Sequence, residues 1–116
     1  MFQIQHCNDV LVMRVFGELG LNNVRQFDSI LNLVLREDVG KLVLDLSELS
    51  HIDYKLVPHI LDRFIEIQCH GSELKLAGSN RYVADILKVM GFEEELYSSV
   101  EDAMISFAPM SREAWQ

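Results

Sequence analysis

Between residues 49 and 64 the chain reads LSHIDYKLVPHILDRF, and many of its chemically capable side chains gather there. His51 and Asp53 stand two apart, so on an extended segment they share a side. With His59 and His70 nearby, the first chemistry to test is a metal site. An HxD pair without a third ligand at fixed spacing is a weak signal, and surface histidines are the simpler reading. Cys69 and His70 would be a nucleophile and its base, but adjacent helical residues do not face each other and no third group orients them. The AGSN stretch, residues 77–80, could hold an anion on the free N–H groups of a helix start. An ordinary Ser or Asn cap explains it as well. No Gly-rich loop follows a strand, which excludes a nucleotide cradle of the usual kind. A phosphorelay receiver needs paired acids after its first strand, and Asp45 and Asp53 stand elsewhere. No catalytic constellation emerges, and no metal or other cofactor is expected.

The elements that must position these residues follow from periodicity. FQIQHC alternates as a half-exposed strand, and VLVMRVFG is a nearly continuous β-branched run suited to a strand covered on both faces. Gly17 and Gly20 then break the pattern. From Asn22 to Arg36 the period is helical, with Val24, Phe27, Leu31 and Val34 on one stripe, an Asn cap at 22 or 23, and Gly40 as the stop. KLVLDL is a second buried strand. PHILDRFIEIQCHG predicts a helix with Leu61, Phe64 and Ile65 inward and Gly71 closing it. ELKLAG alternates, as a strand nearer an edge does. NRYVADILKVMG places Val83, Ile86, Leu87 and Met90 together. EELYS is a short edge strand. A capping box from Ser98 to Glu101 opens a last helix with Val100, Ala103, Met104 and Phe107 on its stripe. Residues 1–108 form one α/β domain with a mixed, mostly parallel sheet of about five strands and about four helices. Residues 109–116 form a loosely held tail. Phe27, Leu44, Phe64 and Leu87 are expected in the core.

Composition narrows the partners. The 116 residues carry 18 acids and 10 bases, a net charge of −8, which argues against nonspecific nucleic-acid binding and anionic membrane surfaces. It suits a protein that meets basic or apolar protein surfaces. Hydrophobic residues make up 49% of the chain, enough to form a core. The two cysteines are expected as free thiols. No apolar run approaches membrane-spanning length and no leader opens the chain, so a cytoplasmic, unprocessed protein without membrane insertion is expected.

The order of these segments resembles one family. VMRVFGELGLNNVRQFDSIL is similar to the opening strand, GEL turn and first helix of STAS domains, the fold of sulfate transporters and anti-sigma factor antagonists. KLVLDLSELSHID resembles the strand and loop that lead to the family's ID pair. GSELKLAGSNRYVADILKVMGFEEELYSSVEDAM resembles the closing half. The resemblance covers roughly residues 3 to 107. It implies a non-enzymatic switch that binds a protein partner, in stand-alone bacterial members a kinase-fold anti-sigma factor. It also implies control by phosphorylation of a Ser or Thr just after ID.

At that point the sequence departs from the pattern. The usual DSSG is here Asp53-Tyr54-Lys55-Leu56. Lys55 stands at the phosphoacceptor position, has no hydroxyl, and carries the wrong sign for a phosphomimic. No phosphoacceptor is therefore assigned. Pro58 lacks an N–H and belongs in the first turn of the following helix, expected at its first position. The loop after Asp53 is then expected to be longer and more exposed, presenting Tyr54, Lys55 and a partly buried Leu56. Asp53, Tyr54, Lys55 and Leu56 are the candidate partner-binding residues. The leading expectation is a protein-binding regulatory module; a homodimer is compatible with it. An accessory subunit of a transport ATPase or other assembly is the alternative, with a small-molecule sensor or small enzyme behind it.

Overall fold

The computed structural model describes residues 2–92 and 95–113, with side chains to residue 107. Its strands are β1 (Phe2–Cys7), β2 (Val10–Val15), β3 (Gly17–Leu19), β4 (Lys41–Asp45), β5 (Leu49–Ile52), β6 (Glu73–Ala77) and β7 (Leu96–Tyr97). Its helices are α1 (Val24–Arg36), α2 (Val57–Cys69), α3 (Arg81–Val89) and α4 (Val100–Glu113), with a 3-10 turn at Tyr54–Leu56. The main sheet has the order β1-β2-β4-β6-β7. Among the described residues β1 alone joins the sheet antiparallel, to β2; β2, β4, β6 and β7 pair in parallel. The mixed, mostly parallel sheet and four helices expected from the periodicity are present.

A parallel sheet needs cover on both faces. Along β2, Leu11, Met13 and Val15 face the cluster that also holds Phe27 and Leu31 of α1, Ile60 and Phe64 of α2, and Val83 and Leu87 of α3. The alternate residues Val10 and Val12 face Ala103 and Phe107 of α4. Three helices therefore cover one face and α4 the other. Phe27, Leu44, Phe64 and Leu87 are all buried.

Several details correct the sequence reading. On α2 the inward residues are Ile60, Phe64 and Ile67, while Ile65 is exposed. The buried stripe steps by three and four, and Ile65 lies off it. α1 reverses at Asp38, whose φ is 57°, rather than at Gly40. Asp is one of the few residues that visit the left-handed region. The cap of α4 is Ser99, whose Oγ accepts from the Asp102 N–H at 3.1 Å; Ser98 lies one residue outside and donates to Asp102 Oδ2. The backbone of α4 runs to Glu113, so residues 109–113 of the expected tail are helical, and residues 114–116 lie outside the described residues. Once wound, a helix gains a hydrogen bond for each residue added.

The segment broken by Gly17 and Gly20 holds β3, which pairs in parallel with β5 as a separate two-stranded ribbon. Asn23 stands at the start of α1 but turns its side chain back, accepting from the Gly20 N–H and donating to Glu18 O. That fixes the exit of the ribbon.

Candidate functional site

β5 delivers the chain to Asp53 in extended conformation. The Asp53 N–H donates to Leu19 O (2.9 Å), so the ribbon holds this residue in place. Asp53 Oδ1 accepts the Lys55 N–H (3.0 Å), and its carbonyl accepts the Leu56 N–H (2.9 Å). The aspartate thus caps and closes the 3-10 turn, as a short acceptor side chain does at a helix start. α2 begins at once with Val57, and Pro58 falls at its second position, where a missing N–H costs nothing. The longer, open loop expected here is not formed. Asp53 supplies the cap that winds the turn, and Leu56 anchors it in the core.

That winding sorts the four candidate residues. Tyr54 is 74% exposed, Lys55 is exposed, Asp53 is half-buried, and Leu56 is buried at 6% exposure. The turn brings Tyr54 and Lys55 to one surface, while Leu56 seats it from beneath.

Two neighbours fix the turn's surroundings. Asn80 caps α3 by accepting from the Val83 N–H (2.8 Å) and donates through Nδ2 to Leu49 O (3.2 Å), tying α3 to β5. The AGSN stretch is thus occupied as a helix cap. The Tyr82 hydroxyl donates to Ile52 O (3.4 Å), and its ring stacks on His51 at 5.2 Å. On the other side of α2, Arg63 bonds Asn32 Oδ1 (2.6 Å) and pairs with Asp28 (3.3 Å), and His59 pairs with Asp28 (2.8 Å). These contacts set α2 against α1.

The sequence reading missed a groove between α2 and α3. Tyr54, Val57, Tyr82, Asp85, Ile86 and Val89 line about 340 Å³. Tyr82 and Val89 are large apolar residues seven apart, off the buried Val83–Leu87 stripe, and 44% and 86% exposed. That spacing was the available signal.

The other histidines and cysteines do not converge with these residues. His70 pairs with Asp38 (3.1 Å), and Cys69 is exposed. Among the described residues no three His, Cys, Asp or Glu side chains gather at one point.

A second polar arrangement stands where β4 leaves the main sheet. Asp45, 2% exposed, accepts from Arg14 Nε (2.7 Å), Ser47 Oγ (2.7 Å) and Ser47 N–H (3.0 Å). Burial pushes its pKa up, but the Ser47 hydrogen bonds and the Arg14 guanidinium together outweigh burial and hold the carboxyl below its ordinary value. Gly78, with φ of 61°, passes so close that an added Cβ would lie 3.1 Å from Ser47 Cβ. Asp45 works as a latch between β2 and the turn after β4.

A STAS domain model matches residues 1–103. The chain belongs to the STAS domain family. No curated protein matches it. Among solved structures, this STAS domain is similar to a putative anti-sigma factor antagonist from Thermotoga maritima, with 22% identity and a TM-score of 0.80, covering 90% of this chain and 92% of that one. It is also similar to the Bacillus cell fate determinant SpoIIAA in its phosphorylated form (19% identity, TM-score 0.75, 92% and 99% covered). A third is the SulP transporter STAS domain from Vibrio cholerae (17% identity, TM-score 0.65, 95% and 88% covered). At these identities the likeness is one of fold. No helix of this STAS domain, among the described residues, is long and apolar enough to cross a membrane.

Proposed function

We propose that this STAS domain is a non-enzymatic, cytoplasmic protein-binding module whose contact surface is presented by Tyr54 and Lys55, with Asp53 capping the turn and the buried Leu56 anchoring it from beneath rather than touching the partner. The observation that carries it is the Asp53-capped turn, which presents Tyr54 and Lys55 while Leu56 holds it to the core. A kinase-fold anti-sigma factor is the partner that the family resemblance suggests. Lys55 stands where the family carries its phosphoacceptor, so a Ser/Thr kinase has no acceptor oxygen there. Control then rests on abundance, on a competing partner or on a ligand. Lys55 supplies a positive charge that steers acidic groups of the partner, against the net charge of the whole chain.

The transport-subunit alternative draws on the transporter STAS structures, whose TM-scores of 0.65 and 0.73 stand beside 0.75 to 0.80 for the antagonists and mark a shared fold. The first reading is tested by titrating purified kinase-fold anti-sigma factors of the source organism with wild type and Lys55→Glu. Capture by wild type is expected, weakened about fivefold or more by the charge reversal, with a changed salt dependence. Incubation with ATP should leave the module unphosphorylated. Stoichiometric phosphate at Ser47, Ser50 or Tyr54, or equal binding by Lys55→Glu, would overturn it.

A further inference from the structure

The groove between α2 and α3 gives the partner a chemistry. Its floor and sides are apolar, from Val57, Ile86 and Val89, and two tyrosines, Tyr54 and Tyr82, stand beside them. The charged residue in the lining is Asp85. Among the described residues this carboxylate makes no ion pair; those that form involve other acids. Tyrosine ring faces attract cations, and so does a carboxylate. Lys55, the basic residue of the turn, is not part of the lining.

We propose that this groove receives an arginine side chain of a partner protein, flanked by aliphatic residues. The aliphatic neighbours lie on Val57, Ile86 and Val89, and the guanidinium stacks on tyrosine and bonds Asp85. Arginine fits better than lysine, since its planar head stacks on a ring and bonds a carboxylate with two parallel N–H groups. A protein segment is favoured over a free small cation because the site is open. With Tyr54 74% and Val89 86% exposed, a small molecule would remain largely in water, whereas a partner surface would cover both residues. The net charge of −8 favours a basic partner segment. The proposal rests on the protein-binding reading and adds a contact separate from Lys55. Asp85 of α3 lies in the groove lining and Lys55 of the turn lies outside it, so the partner presents an arginine to Asp85 and an acid to Lys55.

The test uses the whole chain and a defined probe. An N-acetyl Leu-Arg-Leu amide peptide is titrated while backbone amide NMR signals are followed, beside the same peptide with citrulline, its neutral isostere, and tetramethylammonium chloride. The arginine peptide should shift signals of Val57, Tyr82, Asp85, Ile86 and Val89 in a saturable way. Citrulline, or Asp85→Asn in the protein, should weaken binding roughly two- to fivefold. Asp85 is exposed, so Asp85→Asn should fold, and an unchanged spectrum away from α3 verifies that. Equal binding of both peptides, or shifts outside the groove, would overturn the proposal. Tetramethylammonium binding as tightly as the arginine peptide would overturn the choice of a protein segment. Lys55→Glu should leave peptide binding in place. Failure of the groove is therefore distinguishable from failure of the anti-sigma titration.

Discussion

The two faces of the main sheet are held by different means. On the face covered by α1, α2 and α3, the cluster among the described residues contains 22 buried side chains, and Phe64 meets Phe92 edge-to-face at 5.2 Å. On the α4 face it contains six. There the Phe107 ring is approached by the ammonium groups of Lys41 (5.6 Å) and Lys75 (4.8 Å), and Lys75 donates to the Tyr97 hydroxyl (3.1 Å). Hydrogen bonds from Ser106 and Lys75 hold the Tyr97 phenol below its ordinary pKa. Lysine stems can cover apolar surface while their heads stay near water and over a ring. On this face lysines on the sheet extend the contact that Ala103 and Phe107 of α4 make. Such a face should open before the other.

The comparison is tested most severely by paired aromatic truncations. Phe64→Ala should cost about 3–5 kcal/mol and lower the stability of the whole domain in urea melts. Phe107→Ala should cost about 2–3 kcal/mol. Hydrogen exchange should then show α4 amides opening while β2, β4 and β6 stay protected. Equal losses with whole-domain opening in both variants would remove the distinction between the faces.

Asp45 joins β2 to the turn after β4, and its prediction sharpens the picture by pH. Its carboxyl titrates below the ordinary 3.8, so as pH falls the unfolded chain takes up the proton first. The stability it contributes is complete above about pH 4 and is lost below it, down through the lowered folded value. Asp45→Asn should cost about 1–2 kcal/mol at pH 7 and flatten the melting curve's pH dependence below pH 4. An unchanged acid slope would show that the latch carries no linkage.

Ser99→Ala should cost about 1 kcal/mol, confined to α4 exchange, and Ser98→Ala less, because only Ser99 caps the helix backbone. A larger effect at Ser98 would restore the cap to the residue first expected. Lys55→Glu should change stability by less than about 0.5 kcal/mol, since the side chain is exposed. A larger loss would mean that the binding variant reports on folding.

The sheet and helices were legible because their signals are local. Runs such as KLVLDL and stripes such as Val83–Leu87 declare their own periods. What stayed hidden depends on residues far apart in the chain. β3 has three residues, and its partner β5 comes thirty positions later, so no pattern within GEL marks it as a strand. The turn at Tyr54–Leu56 reads as an open loop from Pro58 alone, and it is the Asp53 side chain accepting the Lys55 N–H that winds it. Ile65 and Ile67 are alike in type, and only the sheet beneath α2 decides between them. The groove joins Tyr54 to Tyr82 of α3, a meeting of distant segments that periodicity cannot announce. Within the candidate site the exposure of Lys55 was readable, whereas that of Tyr54, an aromatic that could equally pack inward, comes from the wound turn. The burial of Leu56 followed from the winding.

The ribbon of β3 and β5 has a consequence for association. It clamps Asp53 from behind, while the aspartate closes the turn in front, so Tyr54 and Lys55 stand on a backbone already in its final shape. A partner docking there would freeze few dihedrals, and little of its contact energy would be consumed in ordering this side of the interface. Such preorganised surfaces meet by rigid-body encounter, with backbones that move little on binding. Differences in affinity among variants of this turn should then appear mainly as differences in how long the complex lasts.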